Sequence, residues 1–426
     1  MSNSIRRNNL FAAEDWRNIY RSFLSNVNFV SYDYDTIRQA LVEYVRNTYP
    51  ENFNDWIKSS EFVAIIDLLA WLGENLAFRV DLNVRENFMD TAERRESIIK
   101  LANLLSYKPR RNINAKGFLK IVGIQTTNDI YDSNGQNLNG IRIDFNDAKN
   151  PDWHEQFILI LNDAFDRNTQ FGHPLQEGKD ADNVRVEVYR IDRIPNGKLN
   201  VYNFTTSVNG ESVDFEVVDV GFDGISYYER KPDIYGNFHI LYKTDSKGNQ
   251  SVNTGFFVYF KQGTLSFEDF NITEVIENRI IDINVPNINN DDVFVHSITE
   301  DGQITQIWKQ LPRSIFSNIV FNNFPVEDKY IFAVDSRLND QISVVFGDGR
   351  FAAVPFGLTR IYYRTSLNDN LVIKPSDIQN ITITIPYMAN TTGTTKQLTL
   401  YLSLQETVSN SFPSETNEDI KINAAR

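Results

Sequence analysis

The 426-residue chain has no cysteine. That excludes disulfides, thiolate nucleophiles and cysteine-ligated zinc, and it fits a reducing compartment. Histidine is nearly as scarce. His154, His173, His239 and His296 stand far apart and form no HExxH pair, so each reads as a surface or turn residue rather than a ligand. Basic residues are the minority, 42 Lys and Arg against 56 Asp and Glu, for a formal charge of −14. A general nucleic-acid sheath or a binder of acidic membranes would carry the opposite balance. Long apolar runs are missing too. The richest, Phe62–Leu72, is interrupted by Asp67 and falls short of a bilayer span. The opening "MSNSIRRNNLFAAEDW" lacks the apolar stretch expected of a signal peptide.

What remains is globular in composition, 41% hydrophobic and 23% charged. The 30 Phe and 19 Tyr suit sheets and interfaces. Residues 1–30 read as a polar amino-terminal arm, and a helical segment follows over 31–111. Ile37, Ala40, Leu41, Tyr44 and Val45 share one helical face, Asp35 is placed to cap that helix, and Pro50 closes it. A longer helix is expected from about Glu61 to Phe88, capped by Ser60. Phe62, Leu69 and Leu76 recur every seven residues, flanked by Ile65, Ile66, Leu72 and Val80. So wide a stripe predicts a bundle with a partner helix. Asp67, Glu74 and Asp81 read as its solvated side. Asp90 and Glu93 have capping-box spacing for a third helix with Ile98, Leu101, Ala102 and Leu105 on its apolar face. "SYKPRR" ends it. Its Lys108, Arg110 and Arg111 suit either a solvated helix end or an acidic or phosphate partner.

After Asn112 the period drops to two. Strands are expected at 117–124, 184–191, 214–220, 238–242, 256–260, 280–283, 293–298, 330–334, 381–386 and 398–404, separated by Asn, Gly and Asp turns. No βαβ rhythm appears, which argues against a doubly wound nucleotide fold. The fold class is therefore α+β, a helical head followed by β-rich domains in an elongated chain. Its expected divisions are 112–310, a second β-rich domain over 311–410, and 411–426 as the start of a further carboxyl region. In "QISVVFGDGRFAAVPFG", Gly347, Asp348 and Gly349 supply a turn after an alternating strand, and Pro355 and Gly357 frame a second turn before the next. No helix opens there with a lysine and hydroxyl, so it is a structural hairpin and not a phosphate loop. "DSNGQNLNG" and "DSKGNQ" lack the ligand alternation of a calcium loop, and "NPDWHEQ" lacks a nucleophile. All three read as hairpin loops.

The helical stretch "EFVAIIDLLAWLGENLAFRVDLNVRENFMDTAERRESIIKLANLLSYKPR", with "VVFGDGRFAAVPFG" and "IYYR" later in the chain, resembles the large baseplate wedge proteins of contractile-tailed bacteriophages, in the wider baseplate J-like group. The resemblance covers roughly residues 60–426. It implies a structural, non-enzymatic strut around the tail tube, located in the virion's tail baseplate and assembled in the host cytoplasm. It implies a bundle of two copies with another large wedge protein, and smaller wedge and sheath-initiator proteins docked nearby. It carries over no catalytic residue, no cofactor and no metal, and implies neither membrane nor nucleic-acid partners. Family chains continue beyond a segment like "SETNEDIKINAAR" into a ring-forming domain, so residues 411–426 are expected to order only against further sequence or another chain. Two other classes stay open on the residues alone. A carbohydrate-binding or adhesive tail module would show a cleft of stacked aromatics. A glycosidase would show a cleft with paired acids, one of raised pKa.

Overall fold

A computed structural model of the chain describes residues 33–48, 60–105, 107–311, 329–350 and 352–425. The expected arm over 1–30 lies outside these residues. The chain forms two compact units, Met1–Leu101 and Ala102–Arg426, and the fold is mixed α+β, as the change of period predicts.

In the first unit α1 spans Tyr34–Thr48 and α2 spans Ser60–Arg85. Asp33, not Asp35, caps α1: its Oδ1 accepts from the Thr36 amide at 2.8 Å. Gly73 of α2 lies against Ile37, where an added Cβ would sit 3.2 Å from the isoleucine's Cδ1. Ile66 and Ala70 share that face and are buried. Arg38 Nε donates to Asp67 Oδ1 at 2.6 Å, so Asp67 is tied to α1 rather than simply solvated. Helix α3, Arg95–Leu104, starts later than its expected box. Glu86 supplies the cap, accepting from the amides of Glu93 and Arg94 at 3.1 and 3.2 Å, and Asp90 lies in the preceding turn.

The second unit begins its sheets with β1 (Lys116–Thr126) and β2 (Ile143–Asp144), then the helix α4 (Trp153–Ala164). Then come β3 (Gln176–Lys179), β4 (Arg185–Ile191), β5 (Tyr202–Val208) and β6 (Glu211–Val218). A small ribbon of β7 (Val220–Phe222) and β8 (Tyr227–Glu229) precedes β9 (Phe238–Thr244) and β10 (Gly255–Gln262). All of these but the ribbon join one sheet.

The chain then leaves that sheet at Gly263 and builds a second one. This comprises β11 (Thr264–Ile272), β12 (Ile280–Ile283), β13 (Ile288–Ile298), β14 (Ile304–Gln310), β15 (Ile331–Ser336), β16 (Ile342–Phe346) and β17 (Gly357–Thr365). Finally β18 (Ile381–Met388) and β19 (Thr395–Leu404) return to the first sheet, and α5 (Asn417–Ala424) follows.

The first sheet runs β18-β19-β1-β10-β9-β4-β3, with β6 and β5 extending from the far half of β10. The second runs β11-β17-β13-β14-β15-β16-β12, and only β14–β15 pair in parallel. The boundary expected at 311 therefore fails. The second sheet is an insertion, and strands 381–404 complete the first. Pairing β19 with β1 joins residues almost three hundred positions apart in sequence (Leu119 with Leu404), which no local pattern encodes.

Strand β10 shows how two cores form on one sheet. Phe256, Val258 and Phe260 point to the large core with Phe157, Ile160 and Leu161 of α4. Phe257 and Tyr259 point to a second core with Val186, Val188, Val218 and Phe222. A strand buried on both faces loses its polar alternation, and each large apolar side chain so buried contributes roughly 1.5–3 kcal/mol. The inserted sheet has its own core, around Ile342, Val344, Phe346, Val295, Trp308 and Ile361.

Residues 411–425 do not wait for a partner. Phe412 and Ile113 exchange backbone bonds of 2.8 and 2.9 Å. Glu415 accepts from the Tyr107 hydroxyl at 2.6 Å and the Arg110 amide at 3.0 Å. Thr416 and Asp419 form a capping box on α5, and Ile420 is fully buried. The tail is thus stitched to its own chain, against the expectation from the sequence. No helix among the described residues is long and apolar enough to cross a membrane.

Candidate docking surfaces

Helix α2 carries more apolar surface than α1 covers. At 100° per residue, Leu68, Leu72, Ile65, Leu76, Leu69 and Val80 fall in one arc of roughly 120°. All six are about half exposed, from 46% for Leu72 to 62% for Leu68. Trp71 and Phe78, on another side, are also exposed. Of the expected interface residues, Ile65, Leu69, Leu72, Leu76 and Val80 lie open on the arc. Phe62 is only half-buried, whereas Ile66 turns to the α1 side and is closed off. The sequence stripe mixed two faces, because a helix apolar over so wide an angle has no single direction.

The Gly-Asp-Gly segment is a turn, but not a hairpin. Strand β16 is flanked by β15 and β12, and β17 by β11 and β13, so the segment carries the chain across the sheet. Gly349 takes φ +78° and its amide donates to the Ala352 carbonyl at 2.8 Å. Asp348 Oδ1 accepts from the Arg350 amide at 3.0 Å. A Cβ on Gly347 would meet that of Ala352 at 2.2 Å, so Gly347 is required by close approach and Gly349 by its backbone angle. Pro355 is buried, and Gly357 opens β17 at φ +81°. Between the two turns, residues 353–356 are irregular chain.

Of the basic residues after α3, Arg110 lies over the Phe412 ring of the carboxyl tail, whereas Lys108 and Arg111 face inward. Lys108 pairs with Asp335. Arg111 is buried and donates to the carbonyls of Ile288, Asn289 and Asn290 at 3.0–3.2 Å. Neither a solvated helix end nor a phosphate site describes them. They fasten the entry of the second unit to the inserted sheet. Deeper in the same seam, Arg364 of β17 meets Glu216 of β6 at 2.8 Å, both oxygens of Glu229 of β8 at 2.8 and 2.9 Å, and Asp292 of β13 at 3.2 Å. Lys261 of β10 adds Glu229 at 2.7 Å and Asp292 at 2.5 Å. Burial opposes the charged form of each acid. Two nearby cations overcome that for Glu229 and Asp292, which stay below the usual carboxylate range. Glu216 is bonded only to Arg364 and the Leu265 amide, and burial wins, raising it.

These facts bear on the other two classes. A cleft of about 820 Å³ is lined by Glu216. A raised acid in a cleft suits general acid chemistry, but both oxygens of Glu216 are occupied, one by Arg364 and the other by the Leu265 amide. The cleft's aromatic lining is Tyr202 and Phe267, and the Arg360 guanidinium lies over Phe267 at 4.0 Å. The two glycine-rich loops close on themselves. Asp132 accepts from the amides of Asn134 and Gln136 and from Gln156, and Asp245 from Lys247, Ser251 and Thr254. No group of three or more His, Asp and Glu side chains among the described residues is placed to hold a metal. Two histidines depart from the surface reading: His239 is buried on Asp219 at 2.9 Å, and His296 is buried with neither ring nitrogen bonded.

Two family models match the chain. Residues 117–407, which span both sheets, match one described as a domain of unknown function, DUF8360. Residues 33–104, the three helices, match the amino-terminal domain of a bacteriophage baseplate protein. No curated protein matches the sequence.

Proposed function

The chain belongs to the family defined by the domain of unknown function DUF8360 and is a bacteriophage baseplate protein, and from that premise we propose that it is a wedge component of a contractile tail. In this reading the helical head docks through Leu68, Leu69, Leu72, Leu76 and Val80 onto helices of a second copy and of another large wedge protein. The β-rich unit is the strut around the tail tube, with smaller wedge and sheath-initiator proteins beside it, and it accommodates the change of the plate on contraction. The role is structural rather than enzymatic. The observation that carries the reading is the open apolar arc of α2, within the part of the chain that matches the baseplate domain. Apolar patches of this kind mark interaction sites.

The test is a double change, Leu72→Asp with Leu76→Asp. Because both residues are about half exposed, the isolated chain is expected to unfold within about 1 kcal/mol of the parent. Incorporation into baseplates is expected to fail. Incorporation at the parental ratio would overturn the docking role of this face.

A further inference from the structure

One strand edge is left partly paired. Asp192–Ile194 runs along the outer edge of β18. The Ile194 amide donates to the Pro386 carbonyl and the Met388 amide to the Asp192 carbonyl, both at 2.9 Å, with Arg193 opposite Tyr387 in antiparallel register. The ladder stops there. Pro195 follows, and Gly197 at φ +75° turns the chain away. In a strand, alternate residues turn their backbone groups to the same edge. Thr384 and Thr382 are in phase with Pro386 and Met388, so their N–H and C=O groups point outward, and no other strand among the described residues takes them.

The lane that Pro195 vacates opens on the 820 Å³ cleft. Thr382, Ile383 and Thr384 form one wall. The others include Tyr202 of β5 and Leu265 and Phe267 of β11, both edge strands themselves. Val201 adds further apolar surface. Unpaired edges are templates for strand addition.

We propose that this cleft receives an extended segment of another baseplate protein, apolar at alternate positions, which adds to the outer edge of β18 and continues the ladder begun by Asp192–Ile194. Main-chain bonds to Thr382 and Thr384 hold it, and the pockets by Val201, Leu265 and Phe267 select its side chains. The site rests on the chain's place in the baseplate but not on docking by α2.

Hydrogen exchange of residues 381–385 tests this, comparing the isolated full chain with purified virions that contain it. The amides of Thr382 and Thr384 are expected to exchange at least tenfold more slowly in virions, with Ile383, bonded to β19, protected in both. Equal exchange of the two threonines in both forms overturns the proposal. The Thr384→Pro variant removes the outward N–H without touching the β19 ladder, and Pro386 already occupies an equivalent position. It is expected to fold as the parent does and to enter virions at least tenfold less. A folded T384P chain that enters at the parental level counts against the proposal. If it does not fold, the exchange result on the parent decides alone. A photo-crosslink from position 382 to a second copy of this chain, rather than to another baseplate protein, overturns the stated occupant. Failure of the Leu72 and Leu76 double variant would leave the exchange comparison on the parent untouched, so the two ideas fail separately.

Discussion

Arg364 is the residue on which the seam between the two sheets turns. It is fully buried and bonded to carboxylates from β6, β8 and β13. Removing one partner of a buried ion pair strands the others in low dielectric. Arg364→Met is therefore expected to cost about 3–5 kcal/mol, read from urea unfolding; a loss under 1 kcal/mol would contradict this account of the seam. Lys243 makes a different prediction. Its ammonium sits 3.3 Å from the centre of the Phe118 ring and 4.3 Å from that of Tyr227, and burial pushes it down to about 8. Between about pH 8 and the normal lysine value the unfolded chain holds the extra proton, so this group adds stability as pH rises. The parent should gain about 2 kcal/mol over Lys243→Met between pH 7.5 and 9.5. Parallel stability curves for the two chains would contradict it. Neither role was legible in the sequence. Arg364 and Glu216 lie 148 positions apart, and a lysine surrounded by rings looks like any strand lysine until the strands are paired.

At the scale of elements, periodicity served well where one face is buried. Ile342, Val344 and Phe346 alternate and all enter the inserted core, and the carboxyl leucines of β19 do the same in the large one. The cluster Trp153-His154-Glu155 opens α4 rather than a hairpin loop, and Phe157, Ile160, Leu161 and Ala164 behind it keep the helical spacing that identifies the helix. The Gly-Asp-Gly turn was readable, but its destination was not, since turn chemistry fixes local angles and not which edges are already taken. That turn yields a graded prediction. Gly347→Ala drives a Cβ into Ala352, and Gly349→Val strains a positive φ; each is expected to cost roughly 1–3 kcal/mol. Asp348→Asn keeps an oxygen for the Arg350 amide and should lie within about 0.5 kcal/mol of the parent. Thermal melts of the three variants give the order, and an asparagine change as damaging as the glycine changes would show that the carboxylate does more than close the turn.

For the whole molecule, the baseplate role comes from the match of residues 33–104, and the apolar arc of α2 is the surface we propose for it. The arc was half legible: the sequence held its residues but could not tell Ile66, closed by the α1 side, from Leu72, which is open. The measurement that tests this most directly uses the absence of cysteine. In Leu72→Cys the only thiol reports whether the arc is covered. A second chain with Gln250→Cys, exposed in the turn that precedes β10, serves as the exposed reference. Both thiols are expected to react quickly with maleimide in the isolated chain. In assembled baseplates the thiol at position 72 is expected to react at least tenfold more slowly, relative to the reference. Equal labelling of position 72 in the free chain and in the baseplate would contradict the claim that this helix face docks.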